Sequence, residues 1–323
     1  MFDFLNIKFP ISGVETNILI PPLVAMIISF FTSIGGISGA FIILPFQVSV
    51  LNYTAPSVSG TNHVYNIVAI PSGVYRYIKE GRMNWPLTWL IIAGTLPGVF
   101  IGYYIRIIYL PNPTSFKLFA GFVLLYTGIL ILRDLIGIKK RGASVKAIDE
   151  KLRKKIDDTR QIINPIKAGL PAYAVVKTIK ISLKKIEYEF LGERFSFSTI
   201  GMFTLALVIG IIGGAYGIGG GAILAPFCIS LFHLPVYTIA GSTLMGTFIT
   251  SFAGALFFTF IPVAGAYNRP DWLLGILFGL GGFVGMYFGA RLQKFLPQKI
   301  IKGLICIIII IVALRYILQY FNI

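Results

Sequence analysis

Two glycine-rich runs inside apolar segments are the residues of this sequence best suited to bind a ligand. The first is GGISGAFIILPF at residues 35–46, and the second is YGIGGGAILAPF at residues 216–227. Because glycine costs a helix interior ~1 kcal/mol relative to alanine, each run predicts a break in a helix. A half-helix that begins after a break would direct free backbone N–H groups and the positive end of its dipole at the ligand, which suits an anion.

A polar patch follows each glycine run at the start of the next apolar segment. It reads SGTNH at residues 59–63 and GST at residues 241–243. Hydroxyl and amide donors there would complete an anion site without a fixed charge, so the ligand would bind weakly and leave readily. Two alternatives stay open: the hydroxyls could bond to carbonyls of their own helix, and the glycines could serve only close helix packing. His63 could carry a proton, although a lone histidine is more often structural.

The side chains that enzymatic catalysis needs are missing from the apolar segments. Seven of the 12 acidic residues lie between residues 139 and 198, and the other five lie at segment ends or in loops: Asp3, Glu15, Glu80, Asp134 and Asp271. This leaves no paired acid/base site and no intramembrane proton relay of carboxylates. HExxH, GxSxG and Walker motifs are absent. We therefore expect no enzyme, no catalytic residue, no metal site and no cofactor.

The composition requires lipid as the solvent for most of the chain. Of the 323 residues, 56% are hydrophobic and 12% are charged, whereas soluble domains carry roughly 25% charged residues. Backbone polar groups in lipid must be satisfied internally, which predicts an all-α polytopic membrane protein. The net charge of +16 does not indicate nucleic-acid binding, since 15 of the 28 Lys and Arg residues lie between Lys139 and Arg194. Cys228 and Cys306 are interpreted as small buried hydrophobes.

The elements that must position the glycine runs occur twice. At a constant offset of 181 residues, Gly36, Gly39, Pro45 and Phe46 recur as Gly217, Gly220, Pro226 and Phe227. Each half has about four hydrophobic segments, of which the first is broken by glycines, at 18–51 and 199–232. Three helices follow, near 56–76, 86–106 and 116–136, then near 237–262, 271–291 and 300–320. The predicted division is an N-terminal segment (1–17), a first repeat (18–138), a basic linker (139–198) and a second repeat (199–323).

Two membrane topologies are compatible with the hydrophobic segments. The linker is too basic to translocate easily, so we expect it in the cytoplasm. If each glycine-broken stretch crosses once, the repeats are parallel, and the basic loop Arg291–Lys302 lies outside. If each stretch turns back as a hairpin, or crosses twice, the repeats are inverted and that loop lies inside. We favour inverted repeats, for which Arg106 and Lys117 are the misfits. Within the linker, 147–163 has a charged helical pattern, and 172–197 alternates like one or two strands.

Equivalent broken helices in two halves are the best sequence indicator of a transporter's substrate site. We therefore predict a small anionic substrate, the lipid bilayer as environment, no nucleic-acid partner, and a multi-pass location in the cell membrane, with a homo-oligomer left open. The predicted substrate-binding residues are Gly35, Gly36, Ser38, Gly39, Thr61, Asn62, His63, Gly217, Gly219, Gly220, Gly221, Ser242 and Thr243.

The same residues resemble the TauE/SafE family of sulfite exporters. The resemblance rests on the duplicated motifs GGISGAFIILP and YGIGGGAILAP, on SGT at 59–61 and GST at 241–243, and on a GxxxG spacing at 98–102 and 285–289. It covers 18–136 and 199–320 and leaves the linker unexplained. Ser38 and Ala40 depart from the glycine pattern of the second half.

The resemblance implies a permease for sulfite, sulfonates or related organosulfur anions. We favour this function, with the substrate between the two glycine breaks. The alternative is a membrane scaffold or an intramembrane enzyme in which the basic linker binds a partner.

Overall fold

The computed structural model describes residues 5–34, 37–136, 154, 175–190, 192–263, 268–292 and 298–321. The first half contains β1 (Asn6–Lys8), β2 (Glu15–Asn17), α1 (Ile20–Ile34), α2 (Ala40–Ser49), α3 (Ser57–Lys79), α4 (Trp85–Ile108) and α5 (Pro113–Ile136). The linker contains β3 (Lys177–Ile181), β4 (Lys185–Phe190) and β5 (Glu193–Ser198). The second half contains α6 (Thr199–Tyr216), α7 (Leu224–Phe232), α8 (Val236–Phe260), α9 (Trp272–Leu292) and α10 (Gln298–Tyr320).

The prediction of an all-α polytopic membrane protein is confirmed. Six helices in the described part of the chain, namely α4, α5, α6, α8, α9 and α10, are long and apolar enough to cross a membrane. The helix α3 has a similar length of 23 residues but carries more polar side chains, among them Asn62, His63 and Asn66. Long apolar side chains such as Phe122, Ile307 and Ile311 remain exposed on the outer helices, as lipid-facing residues would be.

Both glycine runs interrupt their helices as predicted. α6 ends at Gly217, which has a left-handed φ of 88° and donates its N–H to Gly213 O at 2.8 Å. Gly219 is also left-handed, with a φ of +77°, and α7 begins five residues later at Leu224. Glycine adopts this conformation without the steric penalty of a Cβ. In the first half, α1 ends at Ile34 and α2 begins at Ala40.

Each interrupted stretch turns back as a hairpin and does not cross once. α7 returns to the start of α6, where Cys228 Sγ lies 3.8 Å from Met202 Sδ. α2 returns toward the start of α3, because Tyr53, just after α2, has its hydroxyl 3.0 Å from both Ser57 Oγ and Thr61 Oγ1. We call this end of the molecule, where β1 and β2 also lie, the N-terminal face, and the opposite end, where β3–β5 lie, the linker face. The two hairpins therefore enter from opposite faces.

Glycine stripes join helices of different halves. Three glycines on α4 pack against α6, and three on α9 pack against α1, and a Cβ added at any of them would lie under 3.0 Å from a carbonyl oxygen. The contacts are Gly94–Phe203, Gly98–Leu207 and Gly102–Ile211 in one set, and Gly281–Pro22, Gly285–Met26 and Gly289–Phe30 in the other. Only glycine permits such close approach of helix backbones. Each carbonyl partner in the first set lies 181 residues after its counterpart in the second.

The linker forms a small antiparallel sheet that docks on the bundle. The order is β3-β4-β5, one strand more than the alternating pattern predicted, and the predicted helix at 147–163 lies outside the described residues. Tyr188 anchors the sheet through a 2.8 Å hydrogen bond between its hydroxyl and Thr238 Oγ1 at the start of α8. Burial raises the pKa of the Tyr188 phenol, so the hydroxyl stays protonated at neutral pH. Val176 N–H also bonds to Gly81 O at 3.0 Å, after α3.

The N-terminal segment is likewise ordered against the bundle. Ser12, between β1 and β2, donates both its N–H and its hydroxyl to Asp271 Oδ2, at 3.0 and 2.8 Å. Asp271 Oδ1 accepts from Leu274 N–H at the start of α9, which satisfies an orphan donor of that helix. The carboxylate is therefore structural.

Candidate functional site

The two glycine breaks meet at one side chain of α3. The amide nitrogen of Asn62 donates to Ala40 O, at the start of α2, over 3.1 Å, and to Gly217 O, at the second break, over 2.9 Å. The side chain is fully buried. Its oxygen Oδ1 has no hydrogen-bond partner among the described residues. A predicted site residue thus lies at the junction of the two halves.

A second asparagine, which the sequence analysis missed, repeats this bridge one helical turn later. Asn66 donates to Ile218 O over 2.9 Å and to Ser251 Oγ over 3.0 Å, and it accepts from Ser38 Oγ over 2.8 Å. Because residues four apart share one face of a helix, Asn62 and Asn66 form one continuous amide stripe. That i, i+4 spacing was the signal that could have identified Asn66.

The second break packs against a stripe of hydroxyls on α8. Gly220 N–H donates to Thr250 Oγ1 at 3.0 Å. A Cβ at Gly219 would lie 2.6 Å from Ser251 Oγ, and one at Gly221 would meet Thr243 O. These glycines are therefore required by close packing of the break on α8, in addition to any role toward a substrate.

Three predicted residues lie away from the junction or bond locally. Thr61 is at the N-terminal face, where its hydroxyl donates to Ser57 O at 3.1 Å and accepts from Asp271 N–H at 2.8 Å. Ser242 lies toward the linker face and donates to Asn84 O at 2.9 Å. Thr243 donates to Ala240 O of its own helix at 3.1 Å. In this structure Asn62 and Thr243 therefore do not bond to a common group.

The remaining predicted residues are buried close to the breaks. His63 is fully buried, and neither ring nitrogen has a partner among the described residues; a Cβ at Gly254 would touch its ring at 2.6 Å. Gly39 packs against Ser29 Oγ, which would lie 2.7 Å from an added Cβ. Gly35 and Gly36 lie outside the described residues.

A buried cation changes the expected electrostatics of the site. Arg106 of α4 is fully buried, and its Nε donates to Ser59 Oγ over 3.2 Å. Ser59 Oγ in turn donates to Tyr216 O over 3.3 Å. The expectation that no fixed charge lies near the breaks is therefore wrong: one guanidinium is separated from the second break by a single hydroxyl. Within the described ranges, no group of three or more His, Cys, Asp or Glu could hold a metal ion.

The junction offers amide and hydroxyl donors, one buried cation and backbone carbonyls in an apolar surround. Such a set can exchange hydrogen bonds with a small anion, whereas the described carboxylates stand outside it. Asp271 lies at the N-terminal face, and Glu80 lies at the linker face, in contact with Arg76 and Arg82.

Known proteins similar to this chain are membrane transporters. The protein named "Probable membrane transporter protein YunE" of Bacillus subtilis (strain 168) is 22% identical over 297 residues, which cover 89% of this chain and 92% of that protein. "Probable membrane transporter protein YdhB" of the same organism is 30% identical over 122 residues, covering 37% of this chain and 45% of that protein. No solved structure matches the chain. The family description "Sulfite exporter TauE/SafE" matches residues 22–316, and the chain therefore belongs to this family of membrane proteins.

Proposed function

We propose that the chain is a membrane permease that binds small sulfur-containing anions, such as sulfite or a sulfonate, between its two glycine breaks. The observation that carries the proposal is the convergence of both breaks on Asn62 and Asn66. In the described arrangement the amide donors are occupied by carbonyls of the breaks. Substrate entry would separate the breaks, so that these donors face the anion. The described arrangement is then a closed state of an alternating-access cycle.

The driving force is more consistent with membrane potential or a substrate gradient than with protons. The carboxylates of the described residues lie at helix ends or in the linker sheet, so a relay of Asp and Glu through the bundle is missing there. His63 is the titratable group nearest the breaks and keeps proton coupling as the alternative. An anion that moves alone carries charge, so its flux would respond to voltage.

Inverted repeats are the arrangement that we propose for the two halves. The matched glycine contacts of α4 with α6 and of α9 with α1 support this, since each maps onto the other at the 181-residue offset. The equivalent helices α3 and α8 also cross in opposite directions, with Gly60 near Phe258 and Gly241 near Tyr77. A two-fold axis in the membrane plane relates inverted repeats and produces such pairs. The basic linker would then lie in the cytoplasm of a cell-membrane protein.

Reconstitution tests the substrate class directly. Purified protein in liposomes would be given sulfite, an alkanesulfonate, sulfate and chloride, at imposed potentials of either sign. We expect saturable flux of at least one sulfur anion, accelerated when the potential draws the anion across. Flux equal to that of empty liposomes for every sulfur anion, from protein shown to be inserted, would overturn the proposed function.

A further inference from the structure

Arg106 is a cation placed where the fold gives it no anionic partner. It lies near the end of α4, fully buried, with its guanidinium carbon 3.8 Å from the centroid of the Phe116 ring. Its Nη1 donates to Leu110 O, and its Nε donates to Ser59 Oγ. No carboxylate contacts the guanidinium among the described residues, and Nη2 has no hydrogen-bond partner there.

A buried, unpaired charge is costly, so stability alone does not account for it. Removing an ion from water costs several kcal/mol even after the protein relaxes, and a ring face and two neutral acceptors offset only part of this. Intramembrane charges that persist despite this cost mark ligand pathways. Arg106 is also a misfit for inverted repeats when it is counted as a topology signal. That conflict disappears if the residue faces the protein interior and binds a ligand.

The position of Arg106 connects it to the break. Ser59 accepts from Arg106 and donates to Tyr216 O, and a Cβ at Gly217 would lie 2.5 Å from Ser59 Cβ. The guanidinium, the hydroxyl and the second break therefore form one contiguous path from the N-terminal face toward Asn62. In the register that aligns Gly102 with Gly289, the second half has Gln293 at the matching position, so the fixed charge belongs to one half only.

We propose that Arg106 and Ser59 form an oxyanion-binding site on the N-terminal side of the second break, and that the transported anion occupies it before it reaches Asn62. The part of this proposal that concerns transport rests on the proposed function. The ligand class is a small oxyanion with at least two oxygens on one centre, because a planar guanidinium binds such groups through two parallel N–H bonds. A monatomic halide cannot form both bonds.

Anion-dependent thermal stabilisation of the purified protein measures this site without requiring transport. Sulfite, sulfate, phosphate, nitrate and chloride would be titrated against the wild type, Arg106→Gln and Lys117→Gln. Lys117 is the matched control, since it lies near the same face and its ammonium bonds to Gln319 Oε1 at the surface. We expect Arg106→Gln to weaken oxyanion binding roughly tenfold or more, and Lys117→Gln to leave it unchanged. Equal binding in wild type and Arg106→Gln, or no stabilisation of the wild type by any oxyanion, would overturn the proposal.

Arg106→Lys keeps the experiment informative if the glutamine variant does not fold. Lysine retains the charge but binds as a point charge without the planar fork. Oxyanion affinity should fall at least threefold while chloride affinity stays within twofold, on the order expected for one lost charge-assisted bond; an equal loss for both ions contradicts the assignment. Stabilisation by phosphate or nitrate that depends on Arg106, without flux of any sulfur anion, would support the site and reject the proposed substrate class.

Discussion

The polar stripes of α3 and α8 occupy equivalent positions in the two halves but make different hydrogen bonds. On α3, Asn62 and Asn66 bond across to the glycine breaks. On α8, the residues at the 181-residue offset are Thr243 and Thr247, and each donates to a carbonyl of its own helix, at 3.1 and 2.8 Å. A hydroxyl can be satisfied within a helix, whereas a buried amide with two donors must find partners elsewhere.

This difference assigns separate tasks to the two stripes. The amides of α3 hold both breaks together, so they must release their partners when the breaks separate. The threonines of α8 pack against the second break at Gly219 and Gly221 while their own hydrogen bonds remain internal. The α3 stripe is therefore the part of the junction that can exchange protein carbonyls for substrate, and the α8 stripe is a support.

The largest expected effect comes from removing the amide that has the most partners. Asn66→Ala would leave Ile218 O and the hydroxyls of Ser38 and Ser251 without their present partner. Each stranded buried group costs about 1–3 kcal/mol, so the folded protein should lose about 3 kcal/mol. Thr247→Val, the equivalent change on α8, should cost under about 1 kcal/mol, since its one bond is internal to the helix. Thermal unfolding of both variants in the same detergent measures the two losses, and equal losses would abolish the distinction between the stripes.

A smaller and more specific effect is expected at the next pair toward the N-terminal face. Asn62→Ala should raise the apparent Michaelis constant for sulfite by one to two decades, because a hydrogen bond to a charged ligand contributes about 1.5–3 kcal/mol. Thr243→Val should change it less than threefold, as its hydroxyl is satisfied by Ala240 O. Initial rates of sulfite flux at matched protein levels give both constants. An unchanged constant in Asn62→Ala would remove this residue from the binding site.

The sequence predicted the helices well because apolar segments in lipid have fixed lengths. The segments expected near 56–76, 86–106 and 300–320 are observed at Ser57–Lys79, Trp85–Ile108 and Gln298–Tyr320. The breaks were also predictable, since glycine runs weaken a helix locally. These properties depend on neighbours in the chain, which a sequence displays directly.

The site was predicted less well because its contacts are distant in sequence. Asn66 bonds to Ser251, 185 residues away, and only the packing of α3 against α8 brings them together. Ser242 follows Gly241 immediately, yet its hydroxyl lies toward Asn84 at the linker face. Arg106 could be recognised only as a poor topology signal, since its burial depends on α3, α4 and α5 together.

The entry of the two breaks from opposite faces is the central claim, and cysteine labelling tests it most directly. In a background in which Cys228 and Cys306 are replaced by alanine, single cysteines would be placed at the exposed positions Lys177, Arg291 and Asn112. A membrane-impermeant maleimide applied to each side of sealed vesicles should label Lys177→Cys and Arg291→Cys from one face and Asn112→Cys from the other. Labelling of Arg291→Cys from the face opposite to Lys177→Cys would contradict the inverted arrangement and favour parallel repeats.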